Sequence, residues 1–321
     1  MKIVFIAFLE FPSVHEITLY DKLYHQSYFS LGVNIMLGSI EAGGTKFVCA
    51  VSDLALNIVD KVTIDTQTPD ITLKQVLQFF AKHSIKSMGI GCFGPIDINP
   101  HSNTYGYITA TPKAGWQHFN FVKTIQDHID VPIAFNTDVN VAAYGEFKLG
   151  AAKQTNNSIY LTIGTGIGGG VIIDKKIITG RHHPEMGHIF IKRAVGDDFV
   201  GNCPFHHDCL EGLASGPAIE KRWNIKPVHI DDNHQAWQFE SYYLSQAIVN
   251  YTLTFAPDII ILGGGIMHKP HLLSKIKSTC LTLLNGYFPI DDIEHYLSLP
   301  KLGDNAGIMG GLLLAKDLLH K

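Results

Sequence analysis

Two stretches decide the fold: Ile40-Glu41-Ala42-Gly43-Gly44-Thr45-Lys46-Phe47-Val48 and Ile163-Gly164-Thr165-Gly166-Ile167-Gly168-Gly169-Gly170-Val171. Each reads as an apolar strand, a Gly/Thr turn and a returning strand, and each opens a unit of similar size. Repetition of this kind predicts two related domains. Glycine permits positive φ and close backbone approach, and successive N–H groups in such a turn form a concave anion site. Two such turns facing one cleft could grip a phosphate chain from both sides. A third glycine run, Gly263-Gly264-Gly265, follows the apolar strand Ile259–Leu262. Taken singly, each turn reads equally well as a hairpin without a ligand.

Outward from the first turn, strands and helices alternate. Ser39–Asp53 holds two strands and Asn57–Asp65 a third. Leu73, Val76, Leu77 and Phe80 mark a helix over Thr72–His83. Ser87–Cys92 is a buried strand stopped at Gly94-Pro95, and Val122, Ile125 and Ile129 mark a further helix. Val131–Phe135 is a strand, Val139–Ala151 a helix, and Ser158–Ile163 a strand before the turn Gly164–Gly170 and the return strand Val171–Asp174. Pro270–Leu284 and Ala306–Leu319 are helices, the last expected to pack back on the first domain. None of the glycine runs has the G-x-x-x-x-G-K-[ST] spacing. The run from Gly164 is followed by a strand rather than a helix, which disfavours a dinucleotide-binding fold.

The 321 residues suggest two domains at roughly 150 residues each. Apolar residues make up 46% and charged residues 17%, a composition for a packed globule. The net charge of −4 comes without a basic block, so nucleic acid is not an expected partner. No apolar run reaches membrane-spanning length, and no membrane partner is expected. Five cysteines (Cys49, Cys92, Cys203, Cys209, Cys280) in a chain of this size argue against a disulfide framework and for a cytoplasmic location. Residues 1–35 differ from the rest. The apolar stretch Ile3–Leu9 is short and meets Glu10, unlike an export signal. We read them as an extension of doubtful structure, with translation naturally starting at Met36.

Asp138 closes an apolar strand and opens a helix. There it reads either as a helix N-cap or as the carboxylate that orients an acceptor hydroxyl and takes its proton. The neighbouring phosphate turns favour the second reading. His188, Cys203, His206 and Cys209 offer two imidazoles and two thiolates, a donor set for tetrahedral zinc. With four positions filled, the site should be closed and structural. His207 is an alternative ligand. Cys49, Cys92 and Cys280 read as core residues. Glu185 lies three residues before His188 and Glu211 two after Cys209, so metal ligation would bring the two carboxylates near one place; paired carboxylates and a histidine suit binding of sugar hydroxyls, and without the metal the two read as solvated acids.

These segments together resemble the ROK family (repressors, uncharacterised reading frames, kinases) and, within it, the bacterial fructokinases. The resemblance runs from about Met36 to the C-terminus. It rests on Glu41–Lys46, Thr137–Asn140, Gly164–Gly170, His183-Pro-Glu-Met-Gly-His188, Cys203–Pro217 and Gly263–Met267. It implies an α/β, two-domain actin-like (RNase H-like) fold with a cleft between domains. The expected division is 36–149 plus 304–321 for a smaller domain and 150–303 for a larger one with the zinc loop. It further implies ATP-dependent phosphorylation of a hexose, fructose first, with Asp138 as general base. Glu185, His188 and Glu211 would surround the sugar, His188 also ligating zinc. Gly43, Gly44, Thr45, Lys46, Thr165 and Gly166 would flank the ATP phosphates. Pro217, Gly263, Gly264, Gly265, Ile266 and Met267 would line the adenosine pocket. Mg²⁺ would accompany ATP, and a homodimer is the implied assembly.

Three departures bear on the substrate. Thr137 stands where ROK glucokinases usually carry Asn, Glu41 where many members carry Asp, and the metal segment is Cys-His-Cys; all three resemble the fructokinase branch. His207 replaces a frequent glycine. The competing readings are a kinase for glucose, mannose or an N-acetylated amino sugar, a non-catalytic sugar sensor, and a repressor. The last would carry a helix-turn-helix domain that the non-basic leading segment does not suggest.

Overall fold

The computed structural model describes residues 35–320. The reading of the leading segment therefore lies, Ile35 apart, outside the described residues. The elements run β1 (Met36–Ala42), β2 (Lys46–Ser52), β3 (Ile58–Asp65), α1 (Pro69–Phe80), β4 (Ile85–Cys92), β5 (Tyr107–Ile108), β6 (Phe119–Asn120), α2 (Phe121–Gln126), β7 (Ile133–Thr137) and α3 (Asp138–Leu149). They continue with β8 (Ser158–Ile163), β9 (Ile167–Ile173), β10 (Lys176–Ile177), α4 (Leu210–Ala214), α5 (Gly216–Trp223), α6 (Ala236–Phe255), β11 (Ile259–Gly263), α7 (Leu272–Leu284), α8 (Ile293–Tyr296), β12 (Leu297–Ser298) and α9 (Ala306–Leu318).

Two five-stranded sheets share one plan. The first has the order β3-β2-β1-β4-β7 and the second β10-β9-β8-β11-β12. In each, the opening strand pairs antiparallel with its hairpin partner and parallel with the next strand, β4 or β11. The repeat legible in the two Gly/Thr turns is thus a repeat of whole sheets, the mixed α/β arrangement of the actin-like two-domain fold.

α3 lies between the sheets, against β4 on one side and β8 and β9 on the other, with α9 alongside. Its buried residues (Val139, Asn140, Val141, Ala142, Ala143, Gly145, Glu146, Phe147) leave little of it to solvent, as expected of a helix packed on several sides. The turn expected over Gly164–Gly170 is shorter than that: β9 already begins at Ile167. The reason is packing. A Cβ at Gly168 would come 2.9 Å from Val139 Cγ1, and one at Gly169 would come 2.9 Å from Met186 Cβ. Bare backbone lets α3 and the Met186 segment lie on the two faces of β9.

α9 returns to the first sheet, as expected. Ser87 Oγ donates to the Ala315 carbonyl at 2.7 Å. A Cβ at Gly89 would sit 2.9 Å from Gly311 Cα, so strand and helix meet backbone to backbone. α1 starts three residues before the expected boundary because Pro69 occupies its first turn. α2 ends at Gln126, short of Ile129, although the Ile129 amide still donates to the Ile125 carbonyl at 2.9 Å.

One side chain ties the two stretches that connect the sheets. Glu146 on α3 is fully buried. Its carboxylate accepts from the amides of Ala151 (2.7 Å), Lys301 (3.1 Å) and Leu302 (2.8 Å). Ala151 lies where the chain leaves for the second sheet, and Lys301 and Leu302 where it returns.

Candidate active site and metal centre

The parallel register aligns Ala42 with Cys92 and Cys92 with Thr137. The carboxyl ends of β1, β4 and β7 therefore form one edge, where ligands of open α/β sheets bind. Three features stand along it: the turn Gly43–Thr45, the segment from Phe93 through Gly94-Pro95, and Asp138. Thr137, not Asp138, caps α3, its side chain accepting from the Asn140 amide at 3.2 Å. The N-cap reading of Asp138 thus passes to its neighbour.

The Asp138 carboxyl is half-buried and accepts from the Val139 amide at 2.9 Å. Burial lifts its pKa from the usual carboxylate range to about 7; the Val139 hydrogen bond works against this, and the charges of Glu41 and Glu185 add to it. A base poised near neutrality is matched to proton abstraction from a hydroxyl. Glu41 itself is pushed up by burial, against the pull of Lys46 and Lys61. Glu185 is raised by burial as well, against His188 and with Glu211 adding to the rise. Three carboxylates thus lie close enough to feel burial together, Glu41 and Asp138 at this edge and Glu185 after β10 of the second sheet.

The first turn is a tight hairpin, with the Gly43 amide donating to the Lys46 carbonyl at 3.0 Å. Thr66 Oγ1 braces it at the Gly43 carbonyl (2.8 Å), and Lys113 Nζ donates to the Gly44 carbonyl. A side chain at Gly44 would meet nothing within 4 Å, so the turn opens onto free space. In the second turn the Gly164 amide donates to the Gly166 carbonyl (2.9 Å), and the Gly216 amide donates to the Gly164 carbonyl (2.7 Å). The start of α5, with Ser215 as its cap and Pro217 in its first turn, is thereby seated on the turn. A Cβ at Gly164 would lie 3.9 Å from the Gly265 amide, which brings the β11 loop to the same place. Gly264 holds a φ of 89°, and Gly265 also faces open space. Ile266 and Met267, by contrast, turn their side chains into the core of the second sheet.

His188, Cys203, His206 and Cys209 converge so that one ligand atom from each lies within 4.8 Å of all the others. His188 Nδ1 is 3.7 Å from Cys203 Sγ and 3.5 Å from Cys209 Sγ; Cys203 Sγ is 3.7 Å from His206 Nδ1. Ligand bonds of about 2.0–2.3 Å in a tetrahedron give edges of about 3.3–3.8 Å, so the set fits a four-coordinate metal ion. His207 stays outside the set. It occupies the turn at φ 57°, where its amide donates to the Cys203 carbonyl (3.0 Å). That is the left-handed region in which glycine is more usual.

Glu211, two residues past Cys209, reaches in both directions. Its Oε1 lies 3.9 Å from His188 Nε2, and its Oε2 accepts from the Ile167 amide at 2.9 Å. Lys113, His183 (quoted above only as the first residue of a motif and given no role) and Glu146 also matter to the geometry. Their partners lie 69, 87 and up to 156 positions away, so no local pattern marks them.

The chain belongs to the ROK family, which residues 37–318 match. It is 47% identical over 287 residues to a fructokinase of Pediococcus pentosaceus, covering 89% of this chain and 99% of that protein. It is 46% identical over 292 residues to a fructokinase of Lactococcus lactis subsp. cremoris, covering 90% and 100%. Its fold is similar to that of a ROK hexokinase from Thermus thermophilus, with a TM-score of 0.72 at 23% identity, over 89% of this chain and 99% of the other.

Proposed function

We propose that this chain is an ATP-dependent fructokinase that transfers the γ-phosphoryl group to the primary hydroxyl of D-fructose, giving D-fructose 6-phosphate. The observation that carries the reading is Asp138: a half-buried carboxylate with a pKa near 7, on the strand edge between an open Gly/Thr turn and the loop bearing Glu185. The choice of fructose is supported by the identity to proteins named fructokinases.

ATP with Mg²⁺, when bound, supplies the phosphoryl group and neutralises part of its charge. Gly43, Gly44, Thr45 and Lys46 face the phosphates from the first sheet, and Thr165 and Gly166 face them from the second. Pro217 and the backbone of Gly263, Gly264, Gly265, Ile266 and Met267 hold the adenosine. Glu185, His188 and Glu211 bind sugar hydroxyls. Asp138 takes the proton of the attacking hydroxyl. Phosphoryl transfer asks the protein mainly for positioning and electrostatics, and closing the cleft excludes the water that would otherwise compete as acceptor.

The ion at His188, Cys203, His206 and Cys209 is zinc in this reading, and it is structural because all four positions are protein ligands. The chain divides into 36–149 plus 304–321 and 150–303, and it assembles as a cytoplasmic homodimer.

ATP-coupled phosphorylation across fructose, mannose, glucose and N-acetylglucosamine, with zinc measured on the same sample, tests the reading. Preference for fructose supports it. Preference for another hexose keeps the kinase and withdraws the substrate. Inactivity of folded, zinc-loaded protein on every sugar leaves a sensor.

A further inference from the structure

We infer that His183 is a positioning residue for the sugar site: a neutral imidazole that sets the Glu185 carboxylate while fastening the segment after β4 to the loop that carries Glu185. The inference rests on the proposal that Glu185 binds the sugar.

The geometry leaves the ring one protonation state. The His183 side chain is 6% exposed. Its Nε2 accepts from the Ile96 amide at 3.2 Å. A ring nitrogen that accepts carries no proton, so the neutral ring has its proton on Nδ1. Nδ1 lies 3.4 Å from Glu185 Oε1. Burial also holds the ring toward its neutral form. A protonated ring would set an N–H against the Ile96 N–H and lose that bond.

The two ends of this contact belong to different sheets. Ile96 follows β4 of the first sheet, three residues past Phe93, whose amide donates to the Ala42 carbonyl at 2.8 Å. His183 and Glu185 follow β10 of the second. Gly94 lies directly alongside both groups: a Cβ there would be in ordinary van der Waals contact with His183 Cε1 (3.5 Å) and Glu185 Oε1 (3.6 Å). The ring therefore reads the position of one wall of the cleft and passes it to a carboxylate on the other. Glu185 is also one of the charges that raise the Asp138 pKa.

Two conservative variants separate the contacts. In H183N the amide nitrogen replaces Nδ1 and keeps a donor toward Glu185. In H183Q the amide replaces Nε2 and keeps an acceptor for Ile96. The fructose KM is expected to rise at least about tenfold in H183Q, with the ATP KM within about twofold of wild type, and to rise less in H183N. H183A should change the fructose KM by less than about twofold when introduced into E185A, because a residue acting through another adds little once that residue is gone. In ¹⁵N-labelled wild-type protein at pH 8, the His183 ring should show the Nδ1–H tautomer. An Nε2–H tautomer, an H183A effect undiminished in E185A, or equal rises in both KM values would overturn the inference. If the enzyme prefers another hexose, the fructokinase reading fails while the same cycle is run on that sugar. The tautomer is read without any substrate.

Discussion

Glu211 Oε2 accepts a 2.9 Å hydrogen bond from the Ile167 backbone amide, so the metal loop and the β8–β9 turn are held by one carboxylate. E211A should raise the KM for both ATP and the sugar, each by about tenfold, the worth of one charge-assisted hydrogen bond. E211Q retains an acceptor for Ile167 and should affect mainly the sugar. Initial rates with each substrate varied in turn distinguish the two; an unchanged ATP KM in E211A would show that the turn keeps its shape alone.

Removal of the proposed base, Asp138, should separate activity from stability. D138N is expected to lower kcat by about a hundredfold or more. The raised pKa of Asp138 means that folding favours its neutral form, so ionisation costs stability. That cost is absent below the unfolded value near 4 and fully present above about pH 7. D138N should therefore melt higher than wild type at pH 8, with the gain shrinking toward pH 4. Near-wild-type turnover would remove Asp138 from its role.

If Asp138 acts as the proposed base, the same group should set the pH profile. Because Asp138 must be ionised to accept a proton, kcat/KM for the sugar should fall below about pH 7, approaching tenfold per unit on the acid side. Stopped assays from pH 5 to 9 on wild type give the midpoint. A midpoint near 4 would mean an unperturbed carboxylate.

Loss of a metal ligand should act on folding first. C203S should lower both zinc content and Tm and, by releasing the segment that leads into α4 and its Glu211, raise the sugar KM. Dialysis of wild type against a chelator should reproduce the loss of Tm. Unchanged Tm with zinc removed would make the ion incidental.

Glu146 carries a prediction outside the site. E146A leaves the amides of Ala151, Lys301 and Leu302 without their acceptor, which should cost about 2–4 kcal/mol in denaturant unfolding. A loss below about 1 kcal/mol would show that water replaces the carboxylate.

The parts of this protein written locally were legible in its sequence. Apolar runs ended by Gly/Thr turns gave both hairpins, and the repeat at residues 40 and 163 anticipated the shared strand order of the two sheets. The Cys-x-x-His-x-x-Cys spacing, with a histidine fifteen positions earlier, named the four residues that converge. Helix α6 was not legible, although it is 20 residues long. Glu240, Ser241, Ser245 and Thr252 are buried in it, and polar residues on the inner face blur the apolar period. Glu146 reads in sequence as an ordinary charge near a helix end. Only the arrival of Lys301 and Leu302 gives it a purpose, and no local pattern encodes a partner that distant. The same holds for His183 and Ile96. The overlong turn at Gly164–Gly170 had the opposite cause: glycines there serve close packing, yet by composition alone they look like loop.

The close seating of Gly311 on Gly89 has a bearing on how the protein is made. The strands of the first sheet precede those of the second, but α9, which covers β1 and β4, follows them all. The first sheet must therefore wait, with an apolar face uncovered, until every strand of the second sheet has been made. Domains ordinarily complete themselves in order of synthesis; here the first to begin is the last to close.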